Sequence, residues 1–223
     1  MKVTRMPSAP VPPGTEAEVS APAKKKPTRA EKVARNRLAL LHAGAEVVGE
    51  LGYADASVAR IAERAGLAHG TFYKHFESRQ AMFDELLPNM GKELLDEVRV
   101  QIKGTRDIIE MEDKGFRGFF DFLTKNPGFY RVLNEAEVAA PSAFDEHISN
   151  LARSYTNALK RSLHRGEIKG YEDRELEVIA FVLMAARFYI YLRFSKTGKR
   201  AKRIPEWVIS AYMKFVTRGL KGS

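Results

Sequence analysis

Apolar residues recur along most of the chain with the three- and four-residue spacing of a buried helix face. A clear short example consists of Val58, Ile61, Ala62 and Ala65. Ser57 stands directly before this face, where its hydroxyl can cap free backbone N–H groups. Gly66 follows the face, where positive φ can end a helix at little steric cost. The pattern predicts a short helix between these two residues.

A second short apolar run begins three residues later, with Phe72, Tyr73 and Phe76 as its large members. Two short helices joined by a tight, glycine-containing turn form a helix-turn-helix, and the small Ala62 would let them cross closely. The second helix would present polar, cationic or backbone-accessible positions, which suits entry into a DNA major groove. These positions are His69, Gly70, Thr71, Tyr73, Lys74 and His75. The spacing alone also fits an ordinary helical hairpin with a polar outer face.

A long helix is predicted on each side of this motif. The first covers residues 28–51, where Thr28 and Glu31 have the spacing of a capping box and Gly52 ends the pattern. The second begins at Ser78 and extends toward residue 104, with a kink or short break expected at Pro88. The predicted buried stripe of the first helix is Leu38, Leu41, Ala45 and Val48.

The rest of the chain also has helical periodicity. Helices are expected over residues 105–126, from residue 129 to Pro141, and from Ser142, as a cap, to residue 165. Two more are expected over residues 172–197 and 204–220, the last with Pro205 in its first turn. No alternating apolar and polar run of strand length occurs in the sequence. These patterns predict an all-α chain of about nine helices.

Composition divides the chain into three parts. Residues 1–27 are rich in Pro and Ala and nearly free of aromatic residues, so we predict a disordered tail. Its basic end, Lys24 to Lys26, would either touch the DNA backbone or serve only to keep the chain in solution. Residues 28–77 form the predicted three-helix helix-turn-helix domain. Residues 78–223 form a predicted helical effector and dimerisation domain.

The charge distribution favours a polyanionic partner. The formal net charge is +9, with the excess of Lys and Arg in the first 79 and last 31 residues and an acidic middle. The absence of cysteine excludes disulfides, thiolate metal sites and cysteine nucleophiles. The N-terminus lacks the apolar core of a secretory signal, and the apolar residues 178–194 contain Arg187 and Arg193. We therefore expect a cytoplasmic protein without a membrane span.

The ordered set of residues around the motif resembles the N-terminal domain of the tetracycline-repressor (TetR) family. The resemblance covers about residues 35–87 and rests on three segments: Ile61-Ala62-x-x-Ala65-Gly66-Leu67, Gly70-Thr71-Phe72-Tyr73-x-His75-Phe76 and Ser78-Arg79-x-x-Met82-Phe83. Ala68 departs from the family, which usually has a capping Ser or Thr there, at an expected cost of ~1 kcal/mol. Arg79 replaces the usual Lys and keeps the cation.

The resemblance implies a dimeric, ligand-responsive transcription regulator of the repressor type that binds a near-palindromic operator. We expect His69 and Lys74 to reach base edges, whereas Ser57, Tyr73, His75 and Arg79 hold phosphates. Arg60, Gly70 and Thr71 complete the predicted DNA-binding surface. An effector would tilt the long helix after the motif and so change the spacing of the two recognition helices.

The middle of the chain is rich in aromatic residues, which form either a solid core or the wall of an effector cavity. If the cavity exists, its predicted lining includes Phe120, Tyr130, Asn134, Tyr155 and Arg187. Arg187 needs an anion because burial of an unpaired charge is costly, and either Glu135, Glu137 or the effector could provide it. A hydrophobic effector with an anionic group, such as an acyl or aromatic thioester or acid, fits best. The alternative is a constitutive DNA-binding protein without an effector.

The last two predicted helices are apolar on more than one side, so they need a second cover. Two helices from each of two copies would make a symmetric four-helix interface, as the family resemblance also implies. The small Ala185 and Ala186 would permit close approach. The basic loop GKRAKR at residues 198–203 is expected to be a solvated connection.

An enzymatic function is not expected from the motifs. None of the five histidines has the Glu-x-x-His or His-x-x-x-His spacing of a helical metal site. The sequence also lacks a glycine-rich phosphate loop and a Gly-x-Ser-x-Gly elbow. The prediction is therefore a homodimeric DNA-binding protein with no cofactor and no metal site.

Overall fold

The computed structural model describes Met1 and residues 28–198 and 200–222, and these residues form nine α-helices. They confirm the predicted all-α class; the predicted tail and its lysines lie outside the described residues. The helices are α1 (Arg29–Leu51), α2 (Val58–Arg64), α3 (His69–Phe72), α4 (Arg79–Ile102), α5 (Ile108–Lys125), α6 (Phe129–Ala139), α7 (Pro141–His164), α8 (Leu176–Ile190) and α9 (Glu206–Lys221). Two two-residue antiparallel strands are also present: β1 (Lys196–Thr197) lies at the end of the helix predicted over residues 172–197, and β2 (Arg200–Ala201) lies in the predicted basic loop.

The ends of α1 and α2 follow the local signals in the sequence. The Thr28 hydroxyl accepts a hydrogen bond from Glu31 N, and the Glu31 carboxylate accepts one from Thr28 N, so the capping box forms. The Ser57 hydroxyl caps α2 by accepting from Arg60 N at 3.3 Å. Gly66, with φ of 65°, ends the turn after α2. The predicted stripe of α1 was wrong at Leu38, which is 44% exposed, because Leu40 takes the buried place.

The long helix α4 connects the helix-turn-helix to the rest of the chain without a break. It runs for 24 residues through Pro88, so a break does not occur there, and the alternative of a kink stays a prediction. The Ser78 hydroxyl caps its first turn by accepting from Ala81 N at 3.0 Å. Its later turns pack against α5 and α7. One continuous helix therefore extends from the helix-turn-helix into the interior of the rest of the chain.

A second connection between the domains is made by α6. Gly49 of α1 and Gly128 lie so close that a Cβ on Gly49 would stand 2.5 Å from the Gly128 Cα. Arg131 donates to the Glu50 carbonyl at 2.7 Å, and Tyr53 N donates to Glu135 at 2.9 Å. The carboxyl end of α1 is thus held by both packing and hydrogen bonds to the second domain.

Three other predicted helix ends differ in the structure. Helix α7 begins at Pro141, and Ser142 does not cap it because the chain already turns at Ala140. Residues 172–197 are not one helix: a 3₁₀ turn (Asp173–Glu175) precedes α8, and a π turn (Tyr191–Ser195) follows it. Pro205 is the residue before α9 rather than part of its first turn.

The segment Asp173–Ser195 is long and apolar enough to cross a membrane, judged by length and composition alone. Only 28% of its most apolar window is buried, although core helices of soluble proteins also pass this test. Arg187, in the middle of the segment, points into the protein and pairs with Glu112. The opposite side of the segment carries exposed apolar side chains: Val178, Phe181, Val182 and Tyr189.

Candidate functional site

The second helix of the helix-turn-helix is held by its apolar side and leaves its polar side free. Phe72 and Phe76 are buried, with their ring centroids 5.5 Å apart. Tyr73 is 54% exposed, and Lys74, His69 and Gly70 are also exposed. Ala68 makes no side-chain cap to α3, in keeping with the departure seen in the sequence. Burial of the two phenylalanines therefore presents this short helix outward.

Two arginines beside α3 are positioned by the same turn between α1 and α2. Arg60 donates to the Asp55 carbonyl at 2.7 Å, and Arg79 donates to the Ala54 carbonyl at 3.2 Å. The Arg79 guanidinium also lies 5.4 Å from the ring centre of Phe83. Neither arginine forms a salt bridge within the described part of the chain, nor does Lys74. Their charges thus remain available to phosphates.

The remaining predicted DNA contacts are less exposed. Thr71 and His75 are half-buried, and Ser57 is half-buried while it caps α2. All nine predicted residues lie at the start of α2, along α3 and the turn after it, or at the start of α4. Their role in DNA binding stays a prediction.

Arg37 is a positioning residue that sequence reasoning missed in this region. Its guanidinium donates to both carboxylate oxygens of Glu85 on α4, at 2.6 and 2.5 Å. It also stacks 4.6 Å from the ring centre of Phe76. Arg37 thereby connects α1, α4 and the end of residues 69–76, which we call the recognition segment.

The second domain contains an apolar cavity of about 640 Å³ between α4, α5, α6, α7 and α8. Tyr130, Asn134, Tyr155 and Arg187 line this cavity, as the sequence predicted. Phe120 does not: its ring is buried against Phe116, with centroids 4.8 Å apart, and the neighbouring Phe119 faces the cavity instead. A volume of this size falls within the range of small-molecule sites.

The cavity lining combines exposed and buried polar residues. Arg99, Asn134, Glu137 and Tyr189 are exposed. Glu112 and Arg187, in contrast, are only 2% and 9% exposed, and we call the part of the lining around them the buried end of the cavity. A bound molecule would therefore meet a buried ion pair there and water-exposed polar groups elsewhere.

The buried end is built around the carboxylate of Glu112. Arg187 donates to its Oε1 at 2.6 Å, Tyr212 donates to the same oxygen at 2.5 Å, and Tyr155 donates to Oε2. The partner of Arg187 is therefore Glu112, and the predicted pairing with Glu135 or Glu137 was wrong. Glu135 instead binds Arg131 and Tyr53 N. We call these four residues, from α5, α7, α8 and α9, the Glu112 cluster.

Burial sets the protonation of the groups around the cavity. It raises the pKa of Tyr155 and Tyr212, which stay neutral donors to Glu112. Burial alone would lower the pKa of Arg187, but Glu112 and the two tyrosines hold that pKa well above its ordinary value. Burial lowers the pKa of His147 to about 4, so this lining residue is neutral at pH 7.

Within the described ranges, no group of His, Asp and Glu that could hold a metal ion is found.

Replacing Arg187 with methionine is expected to lower stability by about 3 kcal/mol, because it leaves the Glu112 charge buried without a cation. For a chain of this size, the melting temperature should fall by roughly 6–12 °C. The control is the double variant Arg187→Met with Glu112→Gln, which removes both charges and should regain part of the loss. Denaturant unfolding measures the free energy of unfolding of both variants, and thermal unfolding measures their melting temperatures. Equal or greater loss in the double variant would contradict the buried ion pair.

Comparisons with known proteins agree with this architecture. Residues 40–86 match the family model described as bacterial regulatory proteins, tetR family. The nucleoid occlusion factor SlmA of Mannheimia succiniciproducens is 26% identical over 65% of this chain and 69% of its own length. The HTH-type transcriptional activator FasR of Mycolicibacterium smegmatis is 27% identical over 66% of each chain.

Two solved structures share the fold over nearly their full length. The transcriptional regulator FadR from Bacillus subtilis, in complex with stearoyl-CoA, has a TM-score of 0.66 at 18% identity, covering 82% of this chain and 98% of its own. The ketosteroid transcriptional regulator KstR2 of Mycobacterium tuberculosis has a TM-score of 0.60 at 21% identity, covering 84% and 95%. At these identities, the likeness concerns the fold alone.

Proposed function

The chain belongs to the tetR family of bacterial regulatory proteins, and from that premise we propose that it is a homodimeric repressor of transcription released by a hydrophobic effector. The observation that carries the proposal is the path of α4. This helix begins at Arg79 beside the exposed α3 and lines the cavity with Leu94, Leu95 and Val98. A molecule in the cavity therefore contacts the helix that orients the DNA-binding domain.

The DNA half of the proposal rests on unpaired positive charge around an exposed helix. Lys74 and His69 stand on or beside α3 for base edges, while Arg60 and Arg79 are held by backbone carbonyls for phosphates. One recognition helix reads too few base pairs for useful specificity. A near-palindromic operator read by two copies follows from this limit.

Effector release is a shift between two dimer geometries. A ligand that binds one geometry more tightly draws the population toward it and separates the two recognition helices from successive major grooves. Helix α6 offers a second route, since Tyr130 and Leu133 line the cavity while Arg131 holds the end of α1. Both routes end in the DNA-binding domain.

The apolar lining favours a hydrophobic effector. One solved structure of the same fold is a complex with stearoyl-CoA, and another is named a ketosteroid transcriptional regulator. The stearoyl-CoA complex and the apolar, aromatic lining together lead us to place acyl or aromatic thioesters and acids first. The proposed regulator would act in the cytoplasm and would need no cofactor.

A second candidate is a constitutive DNA-binding protein without an effector. It is favoured by the similarity to nucleoid occlusion factors, at 25–26% identity. A cavity of about 640 Å³ weighs against it, because protein interiors are close-packed with few voids, and this volume falls in the range of small-molecule sites. The two candidates differ in whether any small molecule changes DNA affinity.

An operator-release screen separates the candidates. DNA duplexes selected in vitro by the purified chain would be titrated with fatty acids, acyl thioesters, aromatic acids and ketones, and retardation measured. At least one class is expected to weaken DNA binding about tenfold or more, within the usual range of coupling free energies. The control variant Ala158→Phe places a ring in the cavity, so it should keep DNA binding and lose the response. If some of these ligands bind but none changes the affinity for DNA, the protein is a constitutive DNA-binding protein.

A further inference from the structure

We propose that the buried end of the cavity accepts an uncharged hydrogen-bond acceptor, such as a ketone or ester carbonyl, and rejects a carboxylate. The inference rests on the proposed function, since it takes the cavity to be the effector site. It narrows the effector class to molecules whose inner end is polar but neutral. Any charged group of the effector would then lie away from the Glu112 cluster, where the lining is exposed.

The charge of Arg187 is already neutralised. Its guanidinium lies 2.6 Å from Glu112 Oε1, and the two tyrosine hydroxyls complete the hydrogen bonding of that carboxylate. A ligand carboxylate at this place would bring a second negative charge next to Glu112 in a nonpolar surrounding, where like charges repel strongly. Arg187 cannot serve both anions without loosening its bond to the first.

The cluster cannot easily rearrange to make room. Its members come from four helices, and Arg187 is fixed further by donating to the Leu183 carbonyl at 3.1 Å. The rings of Phe116, Tyr155 and Tyr212 lie within 5.7, 5.0 and 5.9 Å of the guanidinium carbon. Displacement of Glu112 from Arg187 would leave a carboxylate buried without its cation, which is costly.

A neutral acceptor meets no such penalty. The guanidinium carries five N–H donors, which is more than its contacts with Glu112, Leu183, Tyr212 and Tyr155 use. A carbonyl oxygen beside Arg187 would accept from this group without adding charge to the cluster. A ligand cation is opposed for the mirror-image reason, because Glu112 is already paired.

The test compares three probes of about equal length on the full chain: 2-undecanone, decanoate and decylammonium. Binding is measured by calorimetry below the concentrations at which the probes aggregate. The ketone is expected to bind at least about tenfold more tightly than either ion. Tighter binding of decanoate would overturn the inference and leave the proposed regulator intact. Failure of all three to bind would remove the cavity as a site, and both proposals with it.

The variant Glu112→Gln examines the cause of the selectivity. It keeps the shape of the side chain and removes its charge, so Arg187 becomes free to hold an anion. Decanoate affinity should rise about tenfold or more, while ketone affinity changes by less than about threefold. The matched control, Asp121→Asn, removes an exposed carboxylate on the same helix as Glu112 but outside the cavity lining, and it should leave both affinities unchanged. Unchanged decanoate affinity in a folded Glu112→Gln protein would overturn the inference; if that variant does not fold, the probe comparison on the unaltered chain decides.

Discussion

Alanine at both Tyr73 and Lys74 is expected to abolish retardation of operator DNA while the dimer stays intact. Tyr73 is more than half exposed, and Lys74 is exposed without a salt bridge within the described residues. Removal of a cation and a large hydrogen-bonding ring from the recognition segment should cost about a thousandfold or more in specific affinity, which leaves only nonspecific binding. Fluorescence anisotropy with an operator duplex at fixed salt measures the loss.

Two controls separate a lost contact from a damaged fold. The variant Lys103→Ala removes an exposed cation just beyond the far end of α4, and it should bind operator normally. The double variant should keep its melting temperature, because the neighbouring Phe72 and Phe76 carry the packing. Operator binding that survives in the double variant would show that α3 is not the reading helix.

The helix-turn-helix could be predicted from the sequence because its signals are local. A cap at Ser57, a glycine with positive φ at Gly66 and a pair of phenylalanines each act within a few residues. Such signals depend on backbone geometry rather than on distant neighbours. The structure therefore reproduces α1 and α2 with errors of about one residue at the helix ends. The second helix of the motif is shorter than predicted: α3 ends at Phe72, and Tyr73, Lys74 and His75 lie in the turn after it.

The cavity could be predicted only in outline because its lining depends on helix rotation. Phe119 and Phe120 differ by one position, about 100° around α5, yet one faces the cavity and the other the core. Both fit an apolar face in the sequence. The choice between them depends on how α5 packs against α4 and α9, which periodicity does not determine.

The partner of Arg187 was missed because the two residues lie 75 positions apart. A signal was nevertheless present in the sequence. Glu112 stands four residues after Ile108 and four before Phe116, within the buried stripe of α5. A single acid in such a stripe indicates a buried cation or a set of donors, since burial of an unpaired carboxylate is costly.

Helices α8 and α9 expose large apolar side chains to solvent in the single chain. Phe181, Val182 and Tyr189 on α8 and Trp207 and Phe215 on α9 are all exposed, although they are among the most apolar residues of the chain. Exposed apolar side chains in this number indicate an interaction site. We propose that a second copy of the chain covers them, since the same two helices from each chain would form a closed symmetric interface.

Replacing Trp207 and Phe215 with glutamate is therefore expected to give monomers with weak operator binding. The two side chains are 63% and 66% exposed in the single chain, so the substitutions cost little stability there, but they bury two charges per copy in the dimer. Loss of the second recognition helix should lower operator affinity about 100- to 10,000-fold, the usual gain from bivalency. Sedimentation velocity measures the mass, and anisotropy with a full operator measures the affinity.

The matched control is glutamate at Val138, which is 88% exposed on α6 and lies outside the α8 and α9 surface. It adds charge at an equally apolar exposed position, so it should remain dimeric and bind the operator normally. The monomeric variant should bind a half-site duplex as well as the unaltered chain does, because α3 and its neighbours are untouched. A double-glutamate variant that stays dimeric, or that loses half-site binding as well, would show that α8 and α9 do not form the interface that pairs the two recognition helices.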